Sequence, residues 1–193
     1  MRATLLSLSF PLLLLLAPAR PPAYEAASQL GQPARPSASQ PAAPLPANPL
    51  PGSTFSYPSG VAIGPDGSIY VVDTDNAVVK KVTAAGEVST LISSGLTYPT
   101  GVAVAADGTV YVADAGSHSI KKVTPAGEVS ALADHGLTYP AGVAVAADGT
   151  VYVADAGREA NEGAVRKITP GGHLSTLAKG FNKPNGVAVA ADG

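Results

Sequence analysis

Asp73, Asp114 and Asp155 recur at one position of a repeated stretch, each closing a Tyr-Val-x-Asp run that starts at Tyr70, Tyr111 or Tyr152. Carboxylates repeated in this way could ring a channel and hold a cation, or each could accept hydrogen bonds from the backbone amides of its own loop. Recurrence in every copy favours the second role, because a catalytic group is needed once and a fold-holding group is needed once per repeat. His118 and His135 could share one end of the molecule with Asp114 and Asp134, and two imidazoles with a carboxylate would suffice for zinc or iron. His135 has no counterpart in the other copies, however, and His173 belongs at the opposite end, so the histidines read as exposed loop residues and no metal site is expected.

The basic pairs Lys80 with Lys81, Lys121 with Lys122, and Arg166 with Lys167 also recur. Neighbouring strand residues point to opposite faces, so no pair makes one basic patch, and solvated or ion-paired positions are expected in place of phosphate contacts. The chain has no Gly-rich phosphate loop, nucleophile elbow or metalloprotease pair, and no cofactor is expected. Cysteine is absent, which removes disulfides, thiolate catalysis and thiolate metal ligands.

The elements that must position these residues are set by a repeat. PSGVAI, PTGVAV, PAGVAV and PNGVAV begin at Pro58, Pro99, Pro140 and Pro184, in steps of 41, 41 and 44 residues. A Gly or Pro every few residues excludes helical repeats, and short β-patterned runs at this period are the mark of propeller blades, which bury their faces against one another. In one unit, Val102 and Val104 alternate with Ala103 and Ala105, giving a bulky and a small face. Asp107 and Gly108 suit a two-residue type I′ hairpin turn, and Val110, Tyr111, Val112 and Ala113 form a strand apolar on both sides. A third strand carries Lys121 and Lys122, a Pro-Ala-Gly turn follows, and an outer strand closes a four-stranded antiparallel meander. Tyr70, Tyr111 and Tyr152 read as core, while Tyr57, Tyr98 and Tyr139, each before the repeat proline, read as packing on the blade connection.

With 193 residues, 46% of them apolar, 13% charged and a net charge of −2, the chain is of a soluble globular type with a polar appendage. Lys and Arg form no run longer than two, so neither nucleic acid nor an anionic membrane is an expected partner. Arg2, an apolar run over 5–16 and Ala17-Pro18-Ala19 predict a cleaved signal peptide at 1–19, with an uncleaved anchor as the alternative, and hence a secreted or periplasmic protein. Residues 20–56, rich in Pro, Ala, Ser and Gln, predict a disordered linker.

Pro-x-Gly-Val-Ala-Val, the Asp-Gly turn, the Tyr-Val-x-Asp end and the following Ile or Val strand together resemble the NHL repeat, over residues 58–193. The resemblance implies a β-propeller, usually of six blades, that serves most often as a binding platform for protein, RNA or carbohydrate. Related six-bladed folds include lactonases, streptogramin-type lyases and amidating lyases with a metal in the channel. This chain departs from the family where Asp114 is followed by Ala115, Gly116, Ser117, His118 and Ser119, losing the usual Asn and Arg, so a basic RNA-binding surface is not expected. The expected fold is all-β: an open, partial propeller with blades near 58–98, 99–139 and 140–183 and the first strand of a fourth at 184–193, which reads as truncated. Its free blade faces would invite self-association.

The expected function is a secreted, non-enzymatic scaffold for a protein or carbohydrate partner. Its candidate interaction residues are Asp75, Asn76, Ser117 and His118 in the short loops and Arg158, Glu159 and Asn161 in the expanded loop 157–163. The alternatives are a piece of a lactonase-like or lyase-like propeller enzyme and a gene fragment without a function of its own.

Overall fold

The structure is a computed structural model that describes residues 54–190; the expected signal peptide and all of the expected linker up to residue 53 lie outside the described residues. Every described element is a strand. The first sheet runs β1 (Pro58–Ile63), β2 (Ile69–Asp73), β3 (Val78–Val82) and β4 (Val88–Ile92). The second runs β5 (Pro99–Val104), β6 (Val110–Asp114), β7 (Ser119–Val123) and β8 (Val129–Ala133), and the third β9 (Pro140–Val145), β10 (Val151–Asp155), β11 (Gly163–Ile168) and β12 (Leu174–Phe181). Each is an antiparallel meander in chain order, so each forty-odd-residue repeat is one sheet.

Strand alternation decides how the sheets stack. Val102 opposes Val112 on one face of the second sheet, and Ala103 opposes Tyr111 on the other. The Val face of the second sheet (Val102, Val110, Val112, Val123) packs on Tyr70, Val72, Val79 and Ile92 of the first. Its other face (Ala103, Tyr111, Ala113, Ile120) packs on Val143, Val151, Val153 and Ile168 of the third. At the second junction the small Ala103 and Ala113 leave room for the valines of the third sheet, and at both junctions each fully buried Val or Ile contributes roughly 1.5–3 kcal/mol by leaving water. The first sheet shows the same Val face uncovered among the described residues: Val61 is 67% and Ile63 72% exposed, whereas Val102 is 6% exposed.

The innermost strands β1, β5 and β9 stand side by side, closest at the glycine of each repeat. A Cβ on Gly101 would lie 2.7 Å from the carbonyl oxygen of Ala141, and one on Gly142 would lie 2.6 Å from that of Asn185. Glycine is required here because the neighbouring backbone fills the space a side chain would take. Residues 184–190 thus pass β9 in the way β9 passes β5, but they form no strand ladder. The partner of an inner strand is the second strand of its own blade, and the described residues hold none for 184–190.

The Asp-Gly turns differ from the expected type I′ form. Only the glycines (Gly67, Gly108, Gly149) have positive φ, near 80°, and the turn hydrogen bond runs from Gly108 N to Ala105 O with Ala105 N closing onto Thr109 O. This is a three-residue loop in which an ordinary turn is followed by a left-handed glycine. The aspartate stays in the common region because its carboxylate accepts the N–H two residues on: Ser68 N at 3.0 Å, Thr109 N at 2.9 Å and Thr150 N at 2.8 Å.

Candidate functional site

Pro58 pairs with Asp73, Pro99 with Asp114 and Pro140 with Asp155, so the start of each inner strand, the β2–β3 type loops and the blade connections meet at one end. The repeated aspartates are buried there, at 0%, 0% and 2% exposure. They accept backbone amides, as expected, but from the incoming blade connection in addition to any group of their own loop. Asp114 takes Tyr98 N at 2.8 Å and Thr97 N at 3.1 Å; Asp155 takes Tyr139 N at 2.7 Å and Thr138 N at 3.0 Å; Asp73 takes Ser56 N at 2.7 Å. Residues 54–56 are thereby part of the first blade.

The remaining oxygen of each carboxylate has a different donor. Asp73 receives Asn76 Nδ2 at 2.9 Å and pairs with Lys80 Nζ at 2.7 Å, while Lys80 also donates to Thr54 O and lies 4.6 Å from the Phe55 ring centre. Asp114 receives Ser117 Oγ at 2.6 Å, and Asp155 receives Arg166 Nε at 3.3 Å. Loop residues and third-strand cations thus complete a knot between strand end and connection. Lys80 and Arg166 are thus structural ion-pair positions, and Lys81 pairs with Asp66 at 2.8 Å.

These pairings hold several carboxylates acidic. Asp66 is lowered to about 2 by Lys81 and by the Ser68 amide. Burial alone would raise Asp73, but Lys80, Asn76 and Ser56 more than offset it and hold it below its ordinary value. Asp107 and Asp148 are lowered by the Thr109 and Thr150 amides. A carboxyl acidified by folding binds fewer protons native than unfolded, so its contribution is complete above the unfolded value and is lost as pH falls through the folded one. Urea midpoints are therefore expected to be level between about pH 7 and 5 and to drop between about pH 4 and 2. A flat acid limb would contradict this assignment.

The loop residues singled out in the sequence separate into two groups. Asp75 accepts Ser56 Oγ at 3.0 Å; Asn76 and Ser117 are committed to the aspartate knots; His118, at φ 53°, places Nδ1 2.7 Å from Thr138 O. His135 instead pairs with Asp134 at 2.7 Å in solvent, so the two histidines do not converge, and the described residues hold no cluster of three metal-ligating side chains. Arg158, Glu159 and Asn161 lie exposed in the expanded loop, which is folded back on itself by Glu162, whose carboxylate accepts Arg158 N at 3.2 Å and Glu159 N at 3.0 Å. Arg158 lines a cleft of about 600 Å³ with Tyr139, Lys183 and Asn185.

Sequence reasoning missed a row of tyrosines. Tyr57, Tyr98 and Tyr139 are 65%, 39% and 37% exposed and line a second cleft, of about 300 Å³, over the inner strands. Ser59, Thr74, Thr100 and Asn185 line it too, and no lining residue is charged. Burial and the neighbouring Tyr98 and Tyr57, with a hydrogen bond to Tyr98, raise the Tyr139 hydroxyl. The hydroxyls below are clasps between blades: Thr74 donates to Pro99 O at 2.9 Å, Ser59 to Thr100 O at 3.0 Å and Thr100 to Pro140 O at 2.9 Å. The recurrence of tyrosine beside the repeat proline was the available signal.

Four-stranded antiparallel sheets stacked face to face, innermost strands adjacent, define this as a β-propeller chain. The NHL-repeat profile matches residues 55–81, 96–123 and 137–161, so each sheet carries one NHL-repeat match. A chain from a nidogen/laminin complex is 25% identical, covering 68% of this chain and 52% of its own length, at a TM-score of 0.63. A gluconolactonase of Xanthomonas campestris is 20% identical, over 65% of this chain and 48% of its own, at 0.57. A streptogramin B lyase is 15% identical, over 72% and 46%, at 0.60. The chain therefore spans about half the length of these solved structures. No curated protein sequence matches it.

Proposed function

We propose that the chain is an exported, non-enzymatic binding platform whose partner meets the end of the blades bearing the tyrosine row and the expanded loop. The observation that carries this reading is the division of labour at that end. The repeated carboxylates, which could have served a cation or an acid–base step, are each occupied by two or more donors from the fold itself. The exposed groups include three neutral aromatics and one variable loop on a rigid scaffold, which is how recognition surfaces are built. The similarity to a chain from a nidogen/laminin complex supports the same reading.

The test is capture on the immobilised chain of components from an extracellular fraction, compared with Tyr98→Ala and Arg158→Ala. Capture is expected to fall at least fivefold in these variants. Capture that is equal in both, or lactone hydrolysis that requires a tightly held divalent metal, would reverse the conclusion in favour of the propeller enzymes.

Self-association belongs to the same proposal, because the uncovered Val61, Ile63 and Ile69 face is apolar. Ile63→Lys is expected to shift the chain toward monomer in sedimentation. An unchanged distribution would remove this face from the account.

A further inference from the structure

The tyrosine-lined cleft has properties that select among ligands. Its rings come from one repeat position in three successive blades, so they form a row across the inner strands. Its lining carries no charge, which disfavours an ionic ligand. The hydroxyl protons of its wall are already committed, since Thr74, which is buried, and the more open Ser59 and Thr100 all donate to carbonyls of the next blade. The donors left are the tyrosine hydroxyls and the Asn185 amide. A sugar chain needs many partners of both kinds. A proline-rich peptide needs few: its rings stack on aromatic faces, and its carbonyls require only scattered donors.

The sequence supplies such a peptide. Residues 44–51 read PLPANPLP, and residues 36–53 contain no charged side chain, matching the uncharged cleft. Pro46 and Pro49 are spaced as PxxP, the interval that brings two prolines to the same side of a polyproline II ligand, about 9 Å apart. Only residues 52–56 separate this stretch from Tyr57, the first ring of the row, so it is tethered beside the cleft at high effective concentration.

We propose that the tyrosine row is a docking site for an uncharged proline-rich segment and that its occupant is the chain's own stretch 44–51. The inference rests on the reading of this end as the binding face, and it makes that face one that the chain itself occupies in competition with an outside partner.

Nitration by tetranitromethane, read tyrosine by tyrosine after digestion, tests it on the full chain. In the variant with Pro44, Pro46, Pro49 and Pro51 replaced by Ala, nitration of Tyr98 and Tyr139 is expected to rise at least threefold. Tyr111, 5% exposed, is expected to stay unreactive in both chains and so reports that the fold is intact. Added synthetic PLPANPLP is expected to restore protection in the variant, and the same peptide with alanine for proline is not. Equal nitration of Tyr98 and Tyr139 in the two chains would overturn the proposal, as would protection by cellohexaose but not by the peptide, which would assign the cleft to a sugar. Either result leaves the platform reading to its own capture assay, whose outcome is read separately from nitration.

Discussion

Gly101→Ala is expected to lower the unfolding free energy by about 3 kcal/mol, at the upper end of the usual cost of overpacking, because the atoms nearest the added carbon are all backbone. It would lie 2.7 Å from Ala141 O and 3.2 Å from Gly142 Cα, atoms that belong to the next inner strand and can move only if the blades part. Gly142→Ala should behave alike, with Asn185 O at 2.6 Å. Gly171→Ala is the comparison, since its nearest neighbour would be Thr169 Oγ1 at 4.0 Å and its φ is ordinary, and a change within about 0.5 kcal/mol is expected there. Denaturant midpoints decide the matter: equal midpoints for Gly101→Ala and Gly171→Ala would mean that the inner strands are not in the contact described.

Asp114→Ala carries the other large effect. The substitution strips the acceptor from Thr97 N and Tyr98 N and leaves Ser117 Oγ with Ser119 Oγ as its remaining side-chain partner. Two part-buried amides without partners cost about 1–3 kcal/mol each, so a loss of about 3–4 kcal/mol is expected, enough to unfold a marginal domain. Asp114→Asn keeps one acceptor oxygen and should lose about half as much. Ser117→Ala, which removes a single donor, is expected to cost about 1 kcal/mol. If Asp114→Ala were no worse than Ser117→Ala, the aspartate would not be holding the connection, and a role for it in ligand chemistry would return to consideration.

The sheets were legible because a two-residue alternation and a fixed period each report directly on backbone geometry. The face assignments of Val102 and Tyr111 followed from the same alternation. The details that escaped depend on atoms brought together from distant parts of the chain. Asp114 was expected to serve its own loop; its amide partners, Thr97 and Tyr98, come from the preceding connection, a proximity that no local pattern encodes. The turn at Asp107 and Gly108 was misread because the Asp-Gly pair suits two loop lengths, and the hydrogen bond from Ala105 N to Thr109 O selects the longer. Tyr57, Tyr98 and Tyr139 were assigned to packing because a recurrent aromatic beside proline ordinarily packs; whether a ring points into a wall or over a cleft is settled by the blade next to it.

The two faces of every blade are unlike, yet each junction joins the same pair of faces. A unit inserted or deleted by unequal crossing-over therefore meets neighbours it already fits, with the inner glycine in register, and no compensating change is needed elsewhere. Copy number in such a gene can drift at little structural cost, while sequence novelty gathers where the lattice imposes nothing, as in the span between β10 and β11. Ancestry would then be written in the sheets and individuality in the loops.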